Sequence, residues 1–312
     1  MLVSYASAAV EADRVIALPG QTTFDTYAFY SGYLDIADTT NALHYMFVES
    51  QSSPSTDPLL IWFNGGPGCS TMIGWAQEHG PWILKDGEYE FTENPYSWNL
   101  RANVLYLESP AGVGYSYCGS TEDCTFDDVS AADQNLKAVL KFFELYPEFG
   151  GNDLYITGES YAGIYVPYLA KWIYDFNQAN KDDQSVFKPN LVGFAVGNGC
   201  TNWTYDCDAA YIPWGFWSSL YSQELRAKML ADKCDYSGHY LPNMTPVCAG
   251  YYDQFLALTS EVNIYNIYGI CYGTSINPAE EAQISEQTGK VREPQSKSEY
   301  SRWAGSSRKA LE

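Results

Sequence analysis

The sequence predicts an α/β protein built on a mostly parallel sheet, and three observations predict it. Three apolar, β-type runs each open into a glycine-rich loop. Leu59-Leu60-Ile61-Trp62-Phe63 leads into Asn64-Gly65-Gly66-Pro67-Gly68-Cys69-Ser70, and residues 103–108 lead into Ser109-Pro110-Ala111-Gly112-Val113-Gly114-Tyr115-Ser116. Leu154-Tyr155-Ile156 leads into Gly158-Glu159-Ser160-Tyr161-Ala162. Second, the last of these loops passes directly into a helix-like run over 163–176, the strand-turn-helix signature of an α/β unit. Third, such strand ends, met in chain order, place one site along the carboxyl edge of a parallel sheet.

The elements follow in order. Residues 1–19 resemble the tail of a clipped signal peptide, with small residues before a cleavage point but a short apolar stretch and no basic leader. Residues 20–199 form the expected core. Its first two strand-like runs, 28–34 and 43–48, fit a leading hairpin. Asp127 or Asp128 caps a helix running to about Leu145, with Val129, Ala132, Leu136, Val139 and Phe143 at helical spacing as its core stripe, and Pro147 stops it. Residues 191–196 read as another buried strand, ending in Gly197-Asn198-Gly199. Over residues 200–272 strands give way to aromatic-rich helical pieces that carry most of the cysteines. Residues 273–312 read as a disordered tail or linker: 275–312 hold six Lys/Arg and six Asp/Glu, many Ser and Gln, and no apolar periodicity.

Composition narrows the function. A formal net charge of −21 repels phosphate backbones and anionic lipid, so nucleic-acid and membrane-surface binding are not expected. No run is long enough for a transmembrane helix. Eight cysteines, none in a C-x-x-C pair and none clustered with histidine, point to an oxidising compartment rather than to a metal site. Proximity in sequence pairs Cys118 with Cys124, Cys200 with Cys207 and Cys234 with Cys248, and leaves Cys69 and Cys271. Asn202-Trp203-Thr204 and Asn243-Met244-Thr245 are glycosylation sequons, made more credible by the cysteines.

Ser160 is the candidate nucleophile. A serine on a sharp strand-to-helix turn projects its hydroxyl clear of the backbone, and such a turn needs small residues two before and two after it. Gly158 and Ala162 meet that need, although Ala162 departs from the stricter G-x-S-x-G form. By itself the pentapeptide also fits an ordinary βα turn. The glycine loop adds weight, because glycines let backbone N–H groups approach a ligand without obstruction.

Taken together, residues 62–70, 109–116 and 158–167 resemble the signature blocks of the serine carboxypeptidases. The resemblance covers roughly residues 20 to 272. It implies an α/β-hydrolase fold with a helical cap insertion at 200–272, and the last strands of that fold are missing from the sequence. In α/β-hydrolases one oxyanion N–H comes from the loop after the third strand and the other from the residue after the nucleophile; Gly66 and Tyr161 fit those places. The resemblance also implies that Asn64, with Gly65, Glu78 and Glu159, grips the free C-terminal carboxylate of a peptide. Two carboxyls facing a carboxylate must share protons, so binding is expected to be strongest at acidic pH. In the family the cysteine of the glycine loop pairs with one far towards the C-terminus. Cys69 and Cys271 therefore either lack their partners or pair with each other.

A serine hydroxyl needs a base and an orienting carboxylate, in this fold in the order Ser, Asp, His. Only His239 follows Ser160, and it lacks the family's glycine-flanked context. His44 lies in a leading strand, and His79 reads as a helix-end residue. The expected function is a serine-type carboxypeptidase that acts in a secreted, lysosomal or vacuolar lumen. It would be inactive alone, needing the Asp and His from a C-terminal fragment, and no cofactor is implied. Two alternatives stay open: a related acyltransferase using the same serine with an alcohol acceptor, and a non-catalytic secreted peptide-binding protein.

Overall fold

A computed structural model describes residues 8–20, 27–85, 88–120, 122–237 and 244–269. The chain divides after Cys200 into two compact units. The first opens with a five-residue helix, α1 (Ala8–Ala12), and a hairpin of β1 (Phe29–Asp35) and β2 (Ala42–Val48). β3 (Leu59–Phe63) follows, then the short pair β4 (Trp82–Ile83) and β5 (Thr92–Glu93), and β6 (Asn103–Leu107). The remaining elements of this unit are α2 (Asp128–Leu145), β7 (Leu154–Glu159), α3 (Ala162–Ala179) and β8 (Leu191–Gly197).

Six strands make one sheet in the order β1-β2-β6-β3-β7-β8. β1, β2 and β6 pair antiparallel, whereas β6, β3, β7 and β8 run parallel. The sheet is therefore mostly parallel, and the carboxyl ends of β3, β6 and β7 share one edge. β2 is buried along its whole length, and its Phe47 ring meets Phe142, Tyr146 and Phe149 at centroid distances of 5.0–5.1 Å. Aromatic pairs of that geometry contribute about 0.5–1.5 kcal/mol each beyond area burial. They clamp the end of α2 to the sheet.

α2 begins where the sequence placed it. Asp127 caps it, accepting from Ser130 N at 2.7 Å, while Asp127 N donates to Ser130 Oγ at 2.9 Å. A reciprocal cap of this kind is worth about 1 kcal/mol. The buried face, however, is rotated from the expected stripe. Ala131, Gln134, Asn135, Ala138 and Phe142 join Ala132, Val139 and Phe143 in the interior, whereas Val129 is 50% exposed and Leu136 only half-buried. Small alanines share the packed side with Phe142 and Phe143 and allow close approach; a stripe read mainly from bulky residues misses that phase.

β8 also departs from expectation. Its apolar run predicts burial on both faces, yet it is an outermost strand of the sheet, with Val192 50% and Phe194 56% exposed. An edge strand has a neighbour on one side only, so composition alone does not bury it.

The second unit holds α4 (Asp208–Trp217), α5 (Gln223–Ala231) and α6 (Pro246–Thr259), and no strand among the described residues. Ser222 caps α5 through Leu225 N at 3.1 Å, and Thr245 caps α6 through Cys248 N at 3.2 Å. A small core of Ile212, Tyr221, Leu225, Met229, Tyr236 and Phe255 is stapled by the Cys234–Cys248 disulfide. The Cys118–Cys124 disulfide is present in the first unit, and Cys200 and Cys207 are both disulfide-bonded. Cys69 carries a free, exposed thiol, and Cys271 lies outside the described residues.

Candidate active site

The turn between β7 and α3 is two residues long, and Ser160 occupies it with φ +59°. A non-glycine residue there costs about 1–2 kcal/mol. The surroundings hold it in place: Ser160 N donates to Gly197 O at 3.1 Å, and Ser160 O accepts from Gly163 N and Cys200 N, each at 2.9 Å. The small flanking residues have a geometric cause. A methyl on Gly158 would lie 2.6 Å from the Ala162 methyl and 2.6 Å from Phe63 O. Position 158 therefore has no room for a β-carbon, and its absence leaves space for the alanine methyl at 162.

The glycine loop after β3 lies directly against this turn. A β-carbon on Gly65 would fall 2.4 Å from Tyr161 N and 2.7 Å from Ser160 Cβ. Gly66 follows at φ +115°, exposed, and its amide donates to no acceptor among the described residues. Gly68 N donates to the Tyr165 hydroxyl at 3.3 Å, pinning the loop to α3. Tyr161 is buried, and its hydroxyl donates to Asp128 Oδ1 at 3.0 Å, fixing the residue after the serine to the start of α2.

Asn64 is the centre of an acid pair. It is 3% exposed, and its Oδ1 accepts from Trp62 Nε1 at 2.9 Å and from Gly74 N at 3.1 Å. Those two bonds fix the amide orientation and aim Nδ2 outward, where it donates to Glu159 Oε1 at 3.0 Å and to Glu78 Oε1 at 3.4 Å. Glu78 ends a π-helical turn, Gly74–Glu78, and Glu159 ends β7. Desolvation of the carboxyl, and then the charge of Glu159, push the Glu78 pKa up to about 7. Loss of solvation and the same charge also raise the Cys69 thiol.

A buried carboxylate ties two of the loops together. Glu108, fully buried, accepts from Ser70 Oγ of the glycine loop and from Tyr115 N of the loop after β6 at 2.7 Å. It is paired with His44 Nδ1 at 3.0 Å, whose Nε2 lies 2.9 Å from Ser31 Oγ. His79 is buried against Trp62, Trp98 and Tyr106. Neither imidazole is hydrogen-bonded to the Ser160 hydroxyl; His239 and Asn243 lie outside the described residues.

Asn64, Gly65, Glu78, Glu159, Ser160 and Tyr161 are thus joined by direct contacts, with Gly66 next in the loop. Asn202 belongs to the second unit, where it is exposed and its Oδ1 accepts from Thr204 N at 2.9 Å. The sequence reading missed the supports: Trp62, Asp128, Tyr165 and Glu108. The available signals were indirect: Trp62 and Tyr165 lie inside the signature blocks, Asp128 is a helix-cap candidate, and Glu108 precedes a glycine-rich loop.

The serine carboxypeptidase family profile matches residues 19–310. The lysosomal protective protein of Mus musculus is 38% identical over 279 residues, covering 88% of this chain and 56% of that protein. Serine carboxypeptidase ctsa-4.1 of Caenorhabditis elegans is 38% identical over 292 residues, covering 91% of this chain and 59% of that protein. This chain therefore spans less than two thirds of the length of these relatives. Among solved structures, KEX1(DELTA)P, a prohormone-processing carboxypeptidase from Saccharomyces cerevisiae, superposes with a TM-score of 0.66 at 20% identity, over 86% of this chain and 64% of that one. That likeness carries the α/β-hydrolase fold. A profile match running through every one of the positions above settles the kinship: the chain belongs to the serine carboxypeptidase family.

Proposed function

We propose that this chain supplies the nucleophile and the carboxylate-recognition half of a carboxypeptidase that releases C-terminal amino acids from peptides at acidic pH. One observation carries the reading: Asn64 bridges Glu78 and Glu159 at the end of the strand that delivers Ser160. A protonated Glu78 donates to a peptide's terminal carboxylate; an ionised one repels it. Ser160 attacks the last peptide carbonyl, and the Gly66 and Tyr161 amides hold the oxyanion. Asn64, Gly65, Glu78 and Glu159 hold the carboxylate. The base and its orienting acid come from an Asp and a His outside these residues, and the exposed edge of β8 is consistent with further strands pairing there. An oxidising, acidic lumen, lysosomal, vacuolar or extracellular, suits the disulfides and the acid clamp. Asn202 and Asn243 are the proposed glycan acceptors.

The test is co-expression of this chain with a C-terminal Asp/His segment of a family relative. Free-acid peptides should be trimmed from the C-terminus and Ser160 labelled by a fluorophosphonate. Equal cleavage of C-terminal amides would remove the carboxypeptidase assignment. A second reading, peptide binding without catalysis, is favoured by the absence of an imidazole bonded to Ser160 among the described residues. It predicts unchanged free-acid binding and no labelling of Ser160 in the complemented protein.

A further inference from the structure

His79 follows Glu78 directly, and it is more deeply buried than its neighbour, at 7% exposure. Its ring stacks on Trp98 at 4.0 Å and 16°, and meets the Trp62 ring edge-on at 4.2 Å. Nδ1 lies 3.1 Å from the Tyr106 hydroxyl, and Nε2 has no hydrogen-bond partner among the described residues. The His79 carbonyl accepts from Trp98 N at 3.0 Å and Ser97 Oγ at 3.3 Å. Two routes lead from this ring to the acid pair. One is the chain itself, to Glu78. The other runs through Trp62, whose Nε1 orients Asn64.

We propose that neutral His79 is a positioning residue of the carboxylate clamp: wedged among Trp62, Trp98 and Tyr106, it fixes both the indole that aims Asn64 and the turn that aims Glu78. This rests on the reading of Asn64, Glu78 and Glu159 as the carboxylate site. The groups facing the imidazole are almost all uncharged. β3 presents Trp62 and the turn 98–100 presents Trp98. β6 presents the Tyr106 hydroxyl, whose ionisation is pushed far up by burial. Glu78, on its own chain, is the one carboxyl adjacent to it. An imidazolium would carry an N–H on both ring nitrogens and bury the Nε2 proton in an aromatic box where it has no acceptor among the described residues. Burial accordingly lowers the His79 pKa to about 4. The clamp then has two limits: Glu78 must hold its proton, and His79 must not.

The test is calorimetric binding of N-acetyl-phenylalanyl-leucine and its C-terminal amide to the whole chain at pH 4, 5.5 and 7. The wild-type chain should prefer the free acid. His79→Ala, which removes the wedge, should lose about ten- to a hundredfold in free-acid affinity at pH 5.5, the range for a misplaced hydrogen bond to a charged group. Amide binding should be little changed, and near-UV circular dichroism reports whether the variant folds. His79→Phe keeps the stacking without a titrating group. It should restore the preference for the free acid. From pH 5.5 to 4 its affinity should fall about twofold less than that of wild type, because half of the wild-type imidazoles are then charged. The ligand's own carboxyl titrates equally in both. A folded His79→Ala that keeps the wild-type preference, or a His79→Phe whose acid limb matches wild type, overturns the proposal. A wild-type chain with no free-acid preference removes the clamp reading itself.

Discussion

Replacing Glu78 by glutamine tests the proposed acid clamp by removing its ionisable group. Desolvation, and then the facing charge of Glu159, push the Glu78 pKa up to about 7. A peptide's terminal carboxyl, at about 3.5, is ionised throughout the range of interest. If only the protonated clamp binds, apparent affinity scales with the protonated fraction of Glu78: about 99% at pH 5 and about 9% at pH 8. The raised pKa thus works in one direction. Binding is present below pH 7 and lost as pH rises through it, roughly tenfold by pH 8. Glutamine keeps a donor and a partner for Asn64 but cannot ionise. Calorimetry with a blocked dipeptide should give a variant whose affinity at pH 5 lies within about threefold of wild type and stays flat to pH 8. A variant that still weakens tenfold, or a wild type that is already flat, would refute the assignment of the titration to Glu78.

Other outcomes follow from the turn and the second unit. Gly158→Ala should destabilise the first unit by about 1–3 kcal/mol in urea unfolding, from the 2.6 Å overlaps with the Ala162 methyl and Phe63 O, and adding Ala162→Gly should recover only part of it, because the Phe63 carbonyl overlap remains. Ser160→Gly should raise stability by up to about 1 kcal/mol, because glycine accepts φ +59° without the steric cost; a loss instead would mean that the turn is not strained. Replacing both Cys234 and Cys248 by serine should lower stability by about 2–4 kcal/mol, the usual effect of opening a loop of this separation, and a mass shift on alkylation checks that the bond was present.

Much of the fold was legible because its signals are local. β3 and β6 could be bounded from an apolar run that meets glycines, and α2 from Asp127 at one end and Pro147 at the other. The strand-turn-helix around Ser160 was equally legible, since a strained serine needs small neighbours within two residues. The paired acids were a different case. Glu78 and Glu159 stand 81 positions apart and nothing periodic links them, so only the resemblance of the surrounding blocks brought them together.

What the sequence by itself determined is therefore the set of elements, their order along the chain and the residues capable of the chemistry. Those follow from backbone propensity and short-range sterics. Only the tertiary structure decided that β6 lies between β2 and β3, that α2 turns its alanines inward, that β8 ends at an exposed edge and that Cys69 keeps its thiol. It also decided that His79 sits in an aromatic box behind the acid pair. Each of these depends on which distant surfaces meet. Such contacts are chosen by the packing of the whole core, and no window of neighbouring residues contains that information.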